Sequence, residues 1–224
     1  MSLLLLTLLA YFIAEALYRR RPRPWLNPVL VAVVLVALAI LLAGVPLARY
    51  QEATRPLVWL LKPAVVALGY AMHREWRAVR ENAPRFFLGV AAGAATSLLF
   101  TPLLARALGA PEALLRALAF KSVTSGIAVD LAPRYGADPA LTVPLVILTG
   151  ILGAVLGVPL LKRLGVRSPF ALGAALGTAS HGIGTARAAE EGPGALAAGG
   201  LAMAAAGLFA GLLAPLLLPL VGLG

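Results

Sequence analysis

Two short stretches concentrate the residues able to do chemistry in an otherwise apolar chain. The first, Lys121-Ser122-Val123-Thr124-Ser125-Gly126-Ile127-Ala128-Val129-Asp130, places three hydroxyls, a cation and an acid in an apolar neighbourhood. The second is Gly177-Thr178-Ala179-Ser180-His181-Gly182-Ile183-Gly184-Thr185-Ala186-Arg187. Gly182 and Gly184, with hydroxyls on both sides, weaken a helix and free backbone N–H groups at a break. A half-helix N-terminus carries roughly +0.5 charge with unpaired donors. Two such breaks facing each other would hold a small anion, with Lys121, His181 and Arg187 adding positive potential. The parts around Ser122–Ala128 and Ser180–Thr185 are expected to be non-helical breaks or hairpin tips lying near each other at mid-membrane.

Plainer roles exist for the same residues. Ser and Thr in membrane helices bond back to their own backbone or to a neighbouring helix, and Lys121 and Arg187 can snorkel to an interface. His181 is harder to assign to packing, because ionisable residues at membrane depth are rare and usually functional. A hydrolase built on Ser180 and His181 is disfavoured. Neighbours on a helix point about 100° apart, so a nucleophile–base bond needs a backbone break between them. The other histidine, His73, falls in a charged loop. No catalytic residue, cofactor or metal is expected.

The elements that must position these stretches are membrane helices. Of 224 residues, 61% are hydrophobic and 12% charged, and mean hydropathy is +0.92; an ordinary soluble chain is about a quarter charged. Soluble enzymes are thereby excluded, and the absence of cysteine excludes disulfide scaffolds and leaves too few ligands for zinc, iron–sulfur or haem. The net charge of +10 sits in loops, so nucleic acid is not an expected partner.

Residues 2–14 form an uncharged run, and the basic cluster Arg19, Arg20, Arg21 and Arg23 follows the apolar stretch 2–18. A secretory signal carries its charge before the apolar run, so a retained helix is expected with its arginines in the cytoplasm. Leu26–Val45 matches the length needed to span ~30 Å of hydrocarbon. Further apolar runs lie at 57–72, 86–104, 141–161 and 195–221, and weaker, hydroxyl-containing ones at 114–131 and 170–189. Counting each as a full crossing would put Lys162, Arg163 and Arg167 outside, against the positive-inside tendency. One segment is therefore expected to be re-entrant or split; 114–131 is the candidate, with a broken crossing helix plus one further short crossing as the alternative.

A proline after an apolar, small-residue helix recurs at Pro46, Pro102, Pro159 and Pro215, at intervals of 56 or 57 residues. Repeats with interrupted helices in corresponding positions occur in secondary transporters, although Pro-Leu-Leu can recur by chance in so Leu- and Pro-rich a chain. Gly89/Gly93, Gly153/Gly157, Gly173/Gly177 and Gly207/Gly211 are G-x-x-x-G faces able to pack closely.

KSVTSGIA (121–128), LTVPLVILTGILGA (141–154) and above all ALGTASHGIGTARAAEEG (175–192) resemble signatures of the LrgB/CidB family of bacterial membrane proteins. The resemblance runs from about Tyr50 to the C-terminus. Gly126 stands where that family usually has Pro, and Lys62 where Gly is usual. The resemblance implies one of two functions. One is antiholin- or holin-like control of murein hydrolase export and cell lysis, beside an LrgA/CidA-type small membrane partner. The other is transport of small monocarboxylates, since the plastid glycolate/glycerate transporter resembles an LrgA–LrgB fusion and bacterial members are linked to pyruvate or related overflow acids. Buried broken segments with hydroxyls and cations suit a carboxylate carrier better than a pore.

The expectation is an all-α polytopic protein of the bacterial inner membrane with seven or eight membrane segments, internal repeats and two discontinuous helices. It is one LrgB-like domain over 1–224, with 1–56 as N-terminal scaffold and 57–224 as core, acting as a homodimer in the lipid bilayer. A small carboxylate would contact Lys121, Ser122, Thr124, Ser125, Thr178, Ser180, His181, Gly182, Gly184, Thr185 and Arg187. His181 and Asp130 would handle a coupled proton, because an imidazole ordinarily titrates near pH 6.5.

Overall fold

The computed structural model describes residues 2–60, 63, 70, 73, 76–81 and 83–224. Lys62 and the greater part of the expected segment 57–72 lie outside the described residues. Among the described residues all regular secondary structure is helical. The chain divides into two compact units, Met1–Ala67 and Leu68–Gly224.

In the first unit, α1 (Ser2–Arg20) packs against α2 (Pro28–Leu42). Ala10 and Ala14, four residues apart on one face of α1, are buried. Asn27 starts α2 by accepting the Val29 and Leu30 N–H groups at 3.0 and 3.3 Å, with Pro28 at the first helical position, where a missing N–H costs nothing. The helix covers 15 residues of the apolar run 26–45 and ends before Gly44, which has φ +60°. It is shorter than the run because the run includes its own caps. The third helix, α3 (Leu47–Trp59), is joined to α1 by a 2.9 Å hydrogen bond between Tyr50 and Thr7.

The second unit carries the polar stretches. After the short α4 (Trp76–Glu81) come α5 (Ala83–Ala107), α6 (Glu112–Ala119), α7 (Ser125–Leu131), α8 (Pro139–Arg163), α9 (Pro169–Ala188) and α10 (Pro193–Leu217). Proline opens α8, α9 and α10, and Asp138 and Ser168 cap the first two through the Ala140 and Ala171 N–H groups. Four helices, α1, α5, α8 and α10, are long and apolar enough to cross a membrane. This chain is a membrane protein. The run 114–131 is two short helices, α6 and α7, joined by residues 120–124. Helices α5 and α8 are both 25 residues long and begin 56 residues apart, at 83 and 139; α8 passes through a π-helical turn at Gly153–Gly157.

Helix α10 is the central element. One half of its small-residue face, Ala198, Ala202 and Ala206, packs on Phe86 and Val90 of α5; further along, Ala210, Ala214 and Leu218 pack on Leu98 and Phe120. These pairings make α5 and α10 parallel. Against α9 the approach is backbone to backbone. A methyl group built on Gly173 would collide with the carbonyl of Ala195, and one on Gly177 with that of Gly199. Glycine faces permit such contact where dispersion rather than water exclusion drives helix association.

Gly177→Val should therefore destabilise the protein by more than about 2 kcal/mol through overpacking against immovable backbone. Gly211→Ala, where an added methyl meets nothing within 4 Å, should be neutral or slightly stabilising through helix propensity. Thermal loss of the monodisperse species in detergent measures both. Equal melting of the two variants would contradict the packing described.

Candidate functional site

Helix α9 loses helical geometry at Ser180 (φ −132°, ψ 19°) and His181 (φ 41°, ψ −133°). His181 is the one described non-glycine residue with positive φ, a conformation that costs of order 1–3 kcal/mol and persists only where surroundings enforce it. The break brings Gly184 back against the first half of the helix. A methyl group built on Gly184 would sit 2.6 Å from the carbonyl oxygen of Leu176, whereas eight residues along a straight helix span about 12 Å. The chain thus folds back at Ser180–His181, and Thr185 Oγ1 donates 2.8 Å to the His181 carbonyl just past the turn.

Helix α8 holds this turn. Its Gly150, Gly153 and Gly157 receive His181, Ser180 and Leu176 respectively: the imidazole carbons and nitrogen lie where a Gly150 methyl would be, at 2.7–3.0 Å, and the Ser180 side chain where a Gly153 methyl would be. His181 is buried, with Nε2 2.8 Å from the Val146 carbonyl oxygen. A carbonyl only accepts, so Nε2 carries the proton in this pairing and Nδ1 is the nitrogen left to be protonated. No hydrogen bond joins Ser180 to His181, so the two do not form a nucleophile–base pair.

A cavity of about 680 Å³ lies between α5 and the first half of α9. One end holds Lys121 and Ser122, from the segment joining α6 to α7, and Ser97 of α5. Lys121 Nζ donates to Ser122 Oγ at 2.9 Å, and Ser97 Oγ donates to the same oxygen at 3.0 Å. No carboxylate among the described residues pairs with this half-buried ammonium. Thr178 lines the cavity from α9, its methyl directed at Gly93 of α5 (2.7 Å to a methyl built there) and its hydroxyl donating 2.7 Å to the Ala174 carbonyl. Arg85, exposed, marks the far end, roughly 18 Å from Ser97 along α5 at 1.5 Å per residue.

Of the residues singled out from sequence, Lys121, Ser122 and Thr178 meet in this cavity. The others do not line it. Thr124 caps α7 through the Ile127 N–H at 3.3 Å, and Ser125 begins that helix. Asp130 is exposed near its end. Ser180, His181, Gly184 and Thr185 build the turn behind the cavity, and Gly182 faces Met203 Sδ at 3.7 Å. Arg187 forms ion pairs with Glu190 and Glu191 at 3.4 and 3.5 Å, and Glu191 also binds Lys162 at 2.7 Å. Sequence reasoning missed Ser97, Thr101, Arg85 and the aromatic walls Phe86, Phe100 and Phe170. The available signal was the face of α5 on which Arg85, Gly89, Gly93, Ser97 and Thr101 recur every fourth residue.

The family model described as the LrgB-like family matches residues 7–220. That match takes in α1 and α2, beyond the Tyr50 start suggested by the motifs. The chain is 35% identical over 190 residues to the uncharacterized protein YxaC of Bacillus subtilis (strain 168), covering 85% of this chain and 83% of the relative. It is 34% identical to the uncharacterized protein YwbG of the same organism over 84% of this chain and 83% of the relative. To the holin-like protein CidB of Staphylococcus aureus (strain Mu50 / ATCC 700699) it is 29% identical, over 84% of this chain and 82% of the relative. No solved structure matches. By a family match over nearly its whole length and by these relatives, the chain belongs to the LrgB-like family of membrane proteins.

Proposed function

We propose that this protein is a secondary transporter of small monocarboxylates, of the pyruvate, lactate, glycolate and glycerate class, in the bacterial inner membrane. The observation that carries the reading is the half-buried ammonium of Lys121, without an acid partner among the described residues, bonded to Ser122 at one end of a cavity. Such a charge is costly until an anion arrives. A carboxylate supplies the missing partner, with the hydroxyl of Ser122, which accepts from both Lys121 and Ser97, as a further donor. Lys121, rather than the ion-paired Arg187, is the binding charge, and no enzymatic chemistry is assigned.

The transport reading includes two discontinuous membrane segments. The chain reverses at Ser180–His181 and is interrupted at 120–124, after helices α5 and α8 that start 56 residues apart. Phe86 meets Phe170 and Gly93 meets Thr178, so α5 runs with the first half of α9; Gly150 and Gly157 meet His181 and Leu176, so α8 runs against it. Two similar units of opposite direction are the arrangement of inverted-repeat carriers. In this reading the crossings and re-entrant segments total seven or eight, residues 1–56 serve as scaffold to the core, and the protein works as a homodimer with an LrgA/CidA-type partner. A second reading, holin-like action in lysis, is favoured by the printed name of the Staphylococcus aureus relative. It requires a pore that passes large solutes without saturation.

In liposomes, counterflow of labelled pyruvate should saturate, and large entrapped dyes should stay inside. Lys121→Ala should raise KM roughly 10- to 150-fold, the worth of about 1.5–3 kcal/mol for a charged hydrogen bond. Dye release without saturable counterflow would establish the pore reading instead.

Protonation of His181 Nδ1 is the proposed coupling step. His181→Gln keeps a donor for the Val146 carbonyl but cannot titrate. It should flatten the rise in uptake between external pH 7.5 and 5.5, values bracketing the ordinary imidazole titration near 6.5. An unchanged pH profile would remove His181 from coupling.

The basic loops 19–23, 74–85 and 162–167 are proposed to be cytoplasmic. Impermeant thiol reagents should fail to label Arg21→Cys, Val79→Cys or Val166→Cys in intact cells. Labelling at 166 alone would place that end of α8 outside.

A further inference from the structure

The cavity is far larger than a three-carbon acid needs, and its two ends differ in chemistry. At about 680 Å³ it would hold roughly twenty waters at ~30 Å³ each, and it falls within the range of roughly 300–1,000 Å³ typical of pockets that bury drug-sized ligands. The half-buried charge, Lys121, sits at one end beside the Ser122 hydroxyl, and the exposed Arg85 marks the other. Between them the hydroxyls are spent on their own helices, Thr96 on the Ala92 carbonyl at 2.8 Å and Thr178 on that of Ala174 at 2.7 Å. The rest of the wall is largely apolar and includes the rings of Phe86 and Phe170, 5.5 Å apart and tilted by 57°.

The distances set the length of the ligand. Helical side chains tilt toward the N-terminus, so Ser97 presents its hydroxyl toward Gly93. An acid bonded to Lys121 beside the Ser97–Ser122 hydrogen bond has its carboxylate roughly 4–5 Å below the Ser97 Cα, allowing about 3 Å for its own hydrogen bond. Gly89 lies eight residues below Ser97, about 12 Å at 1.5 Å per residue. Pyruvate, with one methyl beyond its carbonyl, stops near Gly93. An aromatic 2-oxo acid extends to Gly89 and the Phe86–Phe170 pair.

Building on the transport reading, we infer that this cavity selects monocarboxylates with an apolar side chain reaching from Lys121 to Gly89, namely aromatic and branched 2-oxo or 2-hydroxy acids, over two- and three-carbon acids. Each methylene buried on the apolar wall multiplies affinity by up to about fourfold. A hydroxylated tail such as that of glycerate gains nothing there, because the nearby hydroxyls are already engaged. Gly89 is the specificity-determining position. A side chain built on it meets no neighbour within 4 Å and occupies the cavity instead.

The test is competition with labelled pyruvate counterflow in proteoliposomes by unlabelled phenylpyruvate, 4-methyl-2-oxopentanoate, pyruvate and glycerate. Phenylpyruvate should inhibit at a concentration at least about tenfold lower than pyruvate, 4-methyl-2-oxopentanoate should fall between, and glycerate should not surpass pyruvate. Gly89→Leu should reduce the phenylpyruvate-to-pyruvate preference at least about fivefold, and Ala175→Leu, across the cavity, should do the same. Saturable pyruvate counterflow with phenylpyruvate no stronger than pyruvate overturns this inference alone. So does a preference unchanged in both leucine variants. Absence of saturable counterflow by any of these acids overturns the transport reading and the inference with it.

Discussion

The close approach of bare helix faces is the constraint on which the second unit depends. Helix α9 can reverse at Ser180–His181 because α10 meets it backbone to backbone at Gly173 and Gly177, while α8 offers Gly150, Gly153 and Gly157 as sockets for His181, Ser180 and Leu176. A positive φ at histidine is unfavourable in isolation. The imidazole bond to the Val146 carbonyl and the Thr185 hydroxyl on the His181 carbonyl hold it there. The glycines are thus the means by which a polar turn is buried without leaving its groups unpaired; among the described residues no buried side-chain polar atom lacks a partner.

That turn places Thr178 opposite Gly93 and so forms one wall of the cavity, and the interruption between α6 and α7 delivers Lys121 and Ser122 to its end. The two polar stretches therefore do different work in the proposed carrier. The segment at 120–124 supplies charge and hydroxyls to the ligand. The segment at 180–185 supplies shape to the cavity, with His181 as the proposed coupling group behind it.

Much of this was legible in the sequence. Apolar run lengths located α1, α5, α8 and α10, whereas Ser125–Ala128, expected within a break, begin the helix α7. The roles of individual residues were less so. A hydroxyl reads the same whether it faces a cavity or, like Thr185, its own backbone. Arg187 looked like a binding charge, but its partners Glu190 and Glu191 follow just beyond the run 170–189 and pair with it one helical turn on. Ser97 was hidden in a helix that hydropathy marks only as membrane-crossing, and its partner Ser122 is distant in sequence. Run length overstated α2, since the uncharged run includes its caps, Asn27 and Ala43.

The central claim is that a carboxylate sits on the Lys121 ammonium. Lys62, Lys121 and Lys162 are the only lysines in the sequence, so ¹⁵N-labelling of lysine side chains gives few signals. Solid-state NMR dipolar recoupling between these nitrogens and [1-¹³C]pyruvate, with the protein in bilayers, measures the contact directly. The account predicts a ¹³C–¹⁵N separation of about 4 Å, as expected for a charge-assisted hydrogen bond, lost in Lys121→Gln and retained in Lys162→Gln. Recoupling that survives in Lys121→Gln, or none at saturating pyruvate, would contradict it.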